Sequence, residues 1–490
     1  MRNVVLICLD TVRKDFFDEH APRIRARADR SYEQCRAASS WSIPSHASMM
    51  TGALPHQHGV HDHNRDFSGI TESATFLADL PDHHTTGVSA NVYASSGFGF
   101  DRMFDDFRDV SPDSRFPEGI HVGRFGYEHK GEGPKKFLSF AKACATHDHP
   151  IESFLNGAAV ELDKALASLP VPKLLDEGAS IIAREGVKTA ESCPQPFFMF
   201  TNFMDAHAPL RHVRGYDRSL HDAPNTWSTA DYDKWELNRD KAEGLERNRE
   251  HVENHRGLYR AAIDYLDRTV VEFIDDVQAA TDHETTFVIT ADHGENLGFP
   301  ADDYLVGHDS SLSEGLLHVP LYVVNAPEDA VSDEEMPDGG TTEGGPGGDT
   351  TLVSEYVSHL QLGDLLVGLA HDEVPDVTRE RIPAELIGSS IAQPPENPEF
   401  WNRMLRCVYD GTEKIEWDSL GESSRVRLDP GRPCWQERVE SDVGGVVEEL
   451  ESEFFDEEIT AYKRRAEGAE GEGVDVDEAT ADRLADLGYM

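Results

Sequence analysis

The sequence predicts an α/β fold in which helices cover a mainly parallel central sheet. Three runs of strand length are apolar almost throughout, at residues 3–9, 196–203 and 285–290. Continuous apolar runs of this kind are typical of central parallel strands, because both of their faces are buried. Between the second and third runs, residues 251–279 carry apolar side chains at helical spacing, which predicts a long packed helix.

A smaller unit is expected at the C-terminal end of the chain. At 490 residues, the chain is long enough for one large domain and a small one. We place the boundary in a proline-containing linker, which gives a large domain over residues 1–392 and a subdomain over residues 393–490. Three strand-like segments of the subdomain predict a small antiparallel sheet: residues 404–409, 414–417 and 425–428.

The charge of the chain limits the partners that it can bind. Its 92 Asp and Glu residues outnumber its 45 Lys and Arg residues, and the resulting formal net charge of −47 is spread through every segment. A polyanion repels nucleic acid and anionic surfaces, because binding to phosphates depends on clustered cations. We therefore expect no nucleic-acid partner, and a solvated acidic shell similar to that of proteins from salt-accumulating microorganisms.

The cysteines and the lengths of the apolar runs predict where in the cell the protein is found. Six cysteines lie far apart and form no CxxC or other metal-binding spacing, so we expect free, mostly buried thiols in a reducing compartment. The run at residues 3–9 is too short to span a bilayer and lacks a small-residue cleavage site, and no later segment reaches that length. We predict a cytoplasmic protein without a membrane span.

Polar residues with metal-binding or catalytic chemistry follow the three predicted strands. Asp10 comes directly after the first strand, His207 shortly after the second, and Asp292 with His293 after the third. In open α/β sheets ligands collect outside the carboxyl ends of the strands, which favours a role in metal or substrate binding. The alternative for Asp10 is capping of the next turn, and the alternative for His207 is a structural hydrogen bond.

The stretch from Ser42 to Gly52 carries the best candidate for a nucleophile. It passes from the end of a predicted strand into a helix that Pro44 or Ser45 can start. Ser42 would then lie at the helix N-terminus, where backbone N–H groups and the helix dipole favour an anion. An ordinary helix start is the alternative interpretation.

Together these motifs resemble the sulfatase family of the alkaline-phosphatase superfamily, here as a haloarchaeal-type acidic member. The family signature is Cys or Ser followed by x-Pro-Ser-Arg and then Ala-Ser-x-x-Thr-Gly. Ser42 takes the nucleophile position in this chain, and His46 replaces the Arg. The Asp-His-Gly-Glu run from Asp292 to Glu295 matches the family's late metal-ligand pair, and Asp10 matches the Asp after its first strand.

The resemblance implies an alkaline-phosphatase-like sandwich with one divalent cation at the strand ends. Hard oxygen ligands favour Ca²⁺ or Mg²⁺, with Ca²⁺ preferred, and an imidazole ligand makes Mn²⁺ plausible. It also implies a nucleophile that acts either as serine or after oxidation to formylglycine. The implied metal ligands are Asp10, Ser42, Asp292 and His293; the further catalytic residues are His207 and His308; the substrate contacts are Arg13, His46, His63 and Asn64.

The chain departs from the family where a fixed cation is expected. The Arg that usually precedes Val-Pro-Leu is His318, and no Lys or Arg occurs from residue 292 to residue 320. His308 is therefore the nearest stand-in for a cation over the substrate anion.

We predict a metal-dependent hydrolase of small-molecule sulfate esters. Such esters resist attack because their oxygens repel the nucleophile, and a bound cation neutralises those oxygens. One alternative is a phosphodiester or phosphonate ester hydrolase, or a phosphoglycerol-type transferase, that uses unmodified Ser42. Another is a catalytically silent binding protein on the same fold, which the loss of the Arg and the Lys suggests. The sequence makes no prediction of oligomeric state.

Overall fold

The computed structural model describes residues 1–166, 169–328, 342–345, 348–388, 397–468, 480–481 and 483–484. Its strands are β1 Asn3–Leu9, β2 Arg30–Arg36, β3 His84–Ser89, β4 Asp106–Asp109, β5 Phe197–Phe203, β6 Thr285–Thr290, β7 Asn296–Leu297, β8 Val306–Gly307, β9 Leu321–Val324, β10 Thr342–Gly345, β11 Gly348–Ser358, β12 Arg381–Leu386, β13 Leu405–Asp410, β14 Glu413–Asp418, β15 Ser423–Leu428 and β16 Gln436–Ser441. Its helices are α1 Lys14–His20, α2 Pro22–Arg25, α3 Ser42–Thr51, α4 Pro55–His58, α5 Val122–Glu128, α6 Lys135–Thr146, α7 Pro150–Leu166, α8 Ala179–Ser192, α9 Lys234–Arg247, α10 Arg249–Ala280, α11 Glu314–Leu317, α12 Leu362–Ala370, α13 Pro398–Trp401, α14 Gly444–Phe454 and α15 Ile459–Gly468.

The three apolar runs of the sequence form adjacent strands at the centre of one nine-stranded sheet. The strand order is β10-β11-β2-β9-β6-β1-β5-β3-β4. The strands from β6 to β4 run parallel to one another, whereas β9 runs antiparallel to both of its neighbours. Every residue of β1, β5 and β6 is buried. The predicted mainly parallel central sheet is confirmed.

The long helix expected over residues 251–279 is α10. Its buried apolar side chains include Leu258, Leu266, Val270 and Phe273, which recur at helical spacing. The helix packs along α8, and α8 in turn packs against β3 and β5. Helix α12 packs against β1 and β6. The hydrophobic core around the central sheet therefore lies between these helices and the central strands.

The C-terminal strands form the predicted small antiparallel sheet, in the order β12-β13-β14-β15-β16. Residues 389–396, which include the predicted boundary, lie outside the described residues, and β12 precedes that boundary. The division into two domains stays a prediction. Helices α14 and α15 add to a separate apolar cluster around Trp417, Phe455 and Tyr462.

A buried ionic network joins the small antiparallel sheet to β2 of the central sheet and to α11. Glu314 of α11 pairs with Arg36 of β2, with Oε2 and Nη2 2.9 Å apart. The other carboxylate oxygen accepts a hydrogen bond from the Tyr409 hydroxyl at 2.6 Å and lies 3.5 Å from the Lys414 ammonium nitrogen. All four side chains are buried. The Glu314 carboxylate therefore links the small sheet to the central sheet, because it is shared by Arg36 on one side and by Tyr409 and Lys414 on the other.

The segment between β4 and β5 contributes four helices, α5, α6, α7 and α8. Within the described part of the chain, no helix combines the length and the apolar composition that crossing a bilayer requires.

Candidate active site

Four neighbouring strands of the central sheet bring polar side chains to one point. Asp10 follows β1, Asp292 follows β6, Asn91 comes two residues after β3, and Asn202 is the next-to-last residue of β5. All four side chains are buried. Because parallel strands end at the same edge of the sheet, residues far apart in sequence converge there.

Ser42 lies over this point as the first residue of α3. Its Oγ atom is 3.4 Å from Nε2 of His293 and 3.1 Å from Nδ2 of Asn91. The helix is fixed to β6 by Ser45, whose hydroxyl donates to the carbonyl oxygen of Asp292 at 2.5 Å. The structure therefore brings the predicted nucleophile to the predicted metal ligands.

Asp10, Asp292 and His293 could together hold a metal ion. One ligand atom from each lies within 4.8 Å of the others, and all three side chains are buried. His293 places Nδ1 2.7 Å from the carbonyl of Gly294, so Nδ1 donates its proton there and Nε2 keeps a lone pair for a ligand. This hydrogen bond to the carbonyl of the next residue, Gly294, orients the imidazole so that Nε2 can coordinate a metal ion.

Several buried side-chain oxygens in this cluster have no hydrogen-bond donor, although burial makes an unpaired oxygen unfavourable. Within the described residues, Oδ1 of Asp10, Oδ2 of Asp292 and Oδ1 of Asn202 are buried without a hydrogen bond. Burial, followed by the charge of Asp292, raises the pKa of Asp10 well above its usual range. Burial opposes ionisation of Asp292 as well, but His293 and His46 lower its pKa. Because uncompensated buried charge is costly, these oxygens fit a divalent cation.

Asn91 is a site residue that sequence analysis did not select. Its Oδ1 accepts backbone hydrogen bonds from Tyr93 at 2.7 Å and Ala94 at 3.1 Å, which fixes the orientation of the amide. The amide nitrogen then donates to Oδ2 of Asp10 at 2.6 Å and to Oγ of Ser42 at 3.1 Å. The signal that could have identified it is its position just after β3, at the sheet edge that also carries Asp10 and Asp292.

His46, which takes the place of the family's Arg, is a buried neutral side chain. Its Nδ1 lies 2.7 Å from the carbonyl oxygen of Ser42, and its Nε2 lies 3.1 Å from the amide nitrogen of Asn202. Because the carbonyl accepts and the amide donates, the proton sits on Nδ1. Burial lowers the pKa of His46 although Asp292 opposes the shift. His46 therefore supports the backbone under Ser42 without supplying a positive charge.

Two further histidines line the site beside His293. The ring centroids of His293 and His308 are 4.9 Å apart, and those of His308 and His207 are 5.5 Å apart. Burial opposes the charged form of His308, yet the Glu295 carboxylate, 3.3 Å from its Nδ1, raises its pKa. Burial and then His308 lower the pKa of His207 to about 3. Of these three histidines, His308 is the one whose pKa is raised, whereas the pKa values of His207 and His293 are lowered.

A lysine reaches this region from a distant part of the sequence. Lys234, the first residue of α9, places Nζ 2.9 Å from Oδ2 of Asp309, the residue after His308. Burial opposes the charged form of Lys234, but Asp309 raises its pKa. The sequence from 292 to 320 contains no cation, so local reasoning could not find this one.

Three predicted substrate contacts lie in other surroundings. Arg13 is buried, with Nε 2.7 Å from a carboxylate oxygen of Asp15 and Nη1 3.2 Å from one of Asp302, so its charge is already compensated. Asn64 is exposed and donates to the carbonyl of Gly59 at 2.7 Å. His63 is half-buried, and its ring centroid lies 6.1 Å from that of His61. Their contact with substrate stays a prediction.

Comparison with known proteins agrees with this architecture. A family model described as Sulfatase matches residues 2–371. Among solved structures, the phosphonate monoester hydrolase from Silicibacter pomeroyi is similar with a TM-score of 0.53 and 14% identity, over 88% of this chain and 89% of the other. For the phosphonate monoester hydrolase of Agrobacterium radiobacter the TM-score is 0.56 and the identity 14%, over 95% and 96% of the two chains.

A 2-O GAG sulfatase is similar with a TM-score of 0.52 and 15% identity, over 96% of this chain and 93% of the other. No curated protein sequence matches this one significantly. At these identities the structural likeness shows a shared fold, and it confirms the fold that the sequence predicted.

Proposed function

Because this chain belongs to the sulfatase family, we propose that it is a metal-dependent hydrolase of small-molecule sulfate esters with Ser42, oxidised to formylglycine, as the nucleophile. One observation carries the proposal above the others. The Ser42 hydroxyl lies at the N-terminus of α3 and within 3.4 Å of His293, beside two buried carboxylates with unpartnered oxygens. This arrangement provides a nucleophile and a cation site at the same point.

The proposed metal ligands are Asp10, Asp292, His293 and Ser42. Their three oxygen-bearing side chains and one imidazole favour Ca²⁺, with Mg²⁺ and Mn²⁺ as further candidates. A bound divalent cation would neutralise the ester oxygens and lower the pKa of the nucleophile.

The chain's own residues would carry the remaining steps. Asn91 orients the Ser42 hydroxyl, and the N-terminus of α3 receives the anionic group. One hydroxyl of the formylglycine hydrate at position 42, having lost its proton to solvent, attacks sulfur in line as the bond from sulfur to the alcohol oxygen breaks. His308 donates a proton to that oxygen, since its pairing with Glu295 favours the protonated ring.

The chemical state of Ser42 decides which ester can turn over. A formylglycine hydrate has a spare hydroxyl that lets sulfate leave by cleavage of a C–O bond. An unmodified serine can be released from phosphorus by water, but its sulfate ester has no such hydroxyl and would stall. The similar phosphonate monoester hydrolases and the change of Arg to His46 keep a phosphoester substrate as the second candidate.

The test combines mass spectrometry with a substrate comparison. The Ser42 peptide is isolated from the native host, and hydrolysis of aryl sulfate and aryl phosphodiester is measured with and without a chelator. Loss of two hydrogens, an aldehyde-reactive group and chelator-sensitive sulfate release would support the proposal. Plain serine with phosphodiesterase activity would replace it by the second candidate, and no activity on either ester would favour a binding protein. Ser42→Ala, which cannot attack, is the control.

We also propose a reducing, salt-rich compartment such as the cytoplasm of a salt-accumulating microorganism. All six cysteines are free, and five of them are buried, which supports the reducing part of this proposal. The net charge of −47 supports the proposal that the compartment is rich in salt.

A further inference from the structure

The exposed apolar side chains of this protein are concentrated in one segment. In the described part of the chain, twelve large apolar residues are exposed, and nine of them fall between residues 137 and 174. They include Phe137 and Leu138 of α6 and Ile151, Leu155 and Leu162 of α7, with between 45% and 75% of each residue accessible. A cluster of this kind marks an interaction surface, because single proteins rarely leave large apolar patches in water.

Helix α7 is apolar on the face that points away from the protein. Its inner face is buried through Ser153, Asn156, Gly157 and Val160. Its outer face presents residues spaced 4, 3, 4 and 3 positions apart, all of them exposed: Ile151, Leu155, Ala158, Leu162 and Ala165. This spacing is the seam of a coiled coil, in which apolar side chains repeat every 3.5 residues to meet another helix.

The neighbouring helix does not cover this seam. Phe140 of α6 packs on Gly157, where an added Cβ would come within 2.3 Å of its ring, so the two helices meet through the inner side of α7. Phe140 also contacts Phe125 of α5, with ring centroids 5.1 Å apart. The α6–α7 hairpin is therefore packed through Phe140 on its inner side, and the outer seam of α7 is exposed.

The charge of the hairpin sets it apart from the rest of the chain. Residues 121–174 contain seven Lys and Arg against six Asp and Glu, a balance of +1, so the remainder of the chain carries −48. Two copies can therefore approach through this segment with less mutual repulsion than the average charge of the chain would cause.

The charges within the hairpin are complementary between the two helices. Helix α6 has three lysines and no acidic residue, whereas α7 has three acidic residues and one lysine. A twofold axis would set α6 of one copy beside α7 of the other, which pairs these opposite charges. The acidic residues on α7 also make it a poor ligand for an anionic bilayer, the other surface that could cover an apolar helix.

We propose that the α6–α7 hairpin is the interface of a symmetric homodimer, in which the α7 seams of two copies pack against each other. The seam supplies the buried apolar contact, and the basic α6 and the acidic α7 of the partner fix the register.

The first experiment measures the mass of the full chain by sedimentation equilibrium in molar KCl. One chain has a mass of 54.5 kDa, so a dimer has twice that mass. We expect wild type to be dimeric and Leu155→Glu/Leu162→Glu to be monomeric with an unchanged circular dichroism spectrum, since both side chains are exposed. Leu420→Glu, which changes a similarly exposed leucine outside the hairpin, should remain dimeric. A monomeric wild type, or a dimer that survives the double substitution, would overturn the proposal.

The second experiment tests the pairing of charges across the interface. Lys135→Glu/Lys142→Glu and Glu161→Lys/Asp163→Lys should each weaken self-association at least tenfold at the lowest salt that keeps the chain folded. Mixing the two variants should restore a dimer, because the reversed charges again match between copies. Failure of the mixture to associate would contradict the twofold arrangement. If wild type is monomeric and instead sediments with vesicles of phosphatidylcholine and phosphatidylglycerol, the seam binds membranes and the dimer is wrong.

Discussion

The side-chain amide of Asn91 donates a hydrogen bond to Oγ of Ser42 at 3.1 Å. The same amide nitrogen is 2.6 Å from a carboxylate oxygen of Asp10, and its carbonyl oxygen is held by two backbone N–H groups. Asn91 thus connects the proposed nucleophile to the proposed metal ligands through a fixed geometry.

Replacing Asn91 by Ala should lower kcat by about 10- to 100-fold with little change in KM, the range typical of residues that orient metal ligands. The reason is that the Ser42 hydroxyl and the Asp10 carboxylate lose their common donor. Steady-state kinetics on the preferred ester would measure this. Gln278→Ala, at an exposed residue of α10, provides a comparison that should stay close to wild type, and equal effects of both changes would count against the assignment.

Asp10→Ala, Asp292→Ala and His293→Ala should each remove bound metal and activity while the fold remains. The three side chains supply the cluster of ligand atoms, and removing one buried carboxylate relieves repulsion in the metal-free protein. Elemental analysis after dialysis, with thermal unfolding as the folding control, would show this. Unchanged metal content in all three variants would place the metal elsewhere.

His46→Arg should impair the site even though it restores the residue usual in the family. The imidazole is enclosed edge-on by Phe100 and Phe200, each with a ring centroid 5.9 Å away, and enlarging a packed side chain typically costs about 1–3 kcal/mol. The guanidinium would also compete with a metal ion for Asp292, which lies 3.6 Å from His46. We expect a lower melting temperature and at least tenfold lower kcat. An Arg variant more active than wild type would show that neither the packing around residue 46 nor competition for Asp292 limits activity.

Glu314→Gln should destabilise the protein by about 3–5 kcal/mol, because Arg36 and Lys414 would keep buried charges without their shared carboxylate. Glu437→Gln breaks a pair with Arg427 in which both side chains are more than half exposed, and it should change stability by less than about 1 kcal/mol. Urea unfolding of both variants at one salt concentration would compare them. Similar values for the two changes would mean that the network does not join the two parts of the chain.

Folding should require molar salt. A shell with a net charge of −47 repels itself, and the screening length falls from about 10 Å at 0.1 M to about 3 Å at 1 M ionic strength. Circular dichroism and activity across a KCl series would follow the transition. A protein that is folded and active in dilute buffer would show that the acidic surface has another cause.

The sequence by itself determined the central strands, the long helix and the chemistry at the strand ends. Residues 285–290 form β6 with the predicted bounds, because a run buried on both faces must be apolar throughout. Asp10, Ser42, Asp292 and His293 were selected for a similar local reason, since each stands next to a strand or helix end that local patterns mark, and the structure brings the four side chains together. Their convergence depended on strand order, which the resemblance to a family supplied.

Only the tertiary structure decided which side chains share the site and which remain uncovered. Asn91, Asn202 and Lys234 join it from β3, β5 and α9, and no periodicity connects these segments to Ser42. The role of His46 also emerged only in three dimensions, because burial between two aromatic rings sets its charge. The outer seam of α7 looks like an ordinary core helix in the sequence. Apolar spacing in the sequence indicates that a helix face will be covered. Only the tertiary structure shows that, among the described residues, the outer face of α7 remains exposed.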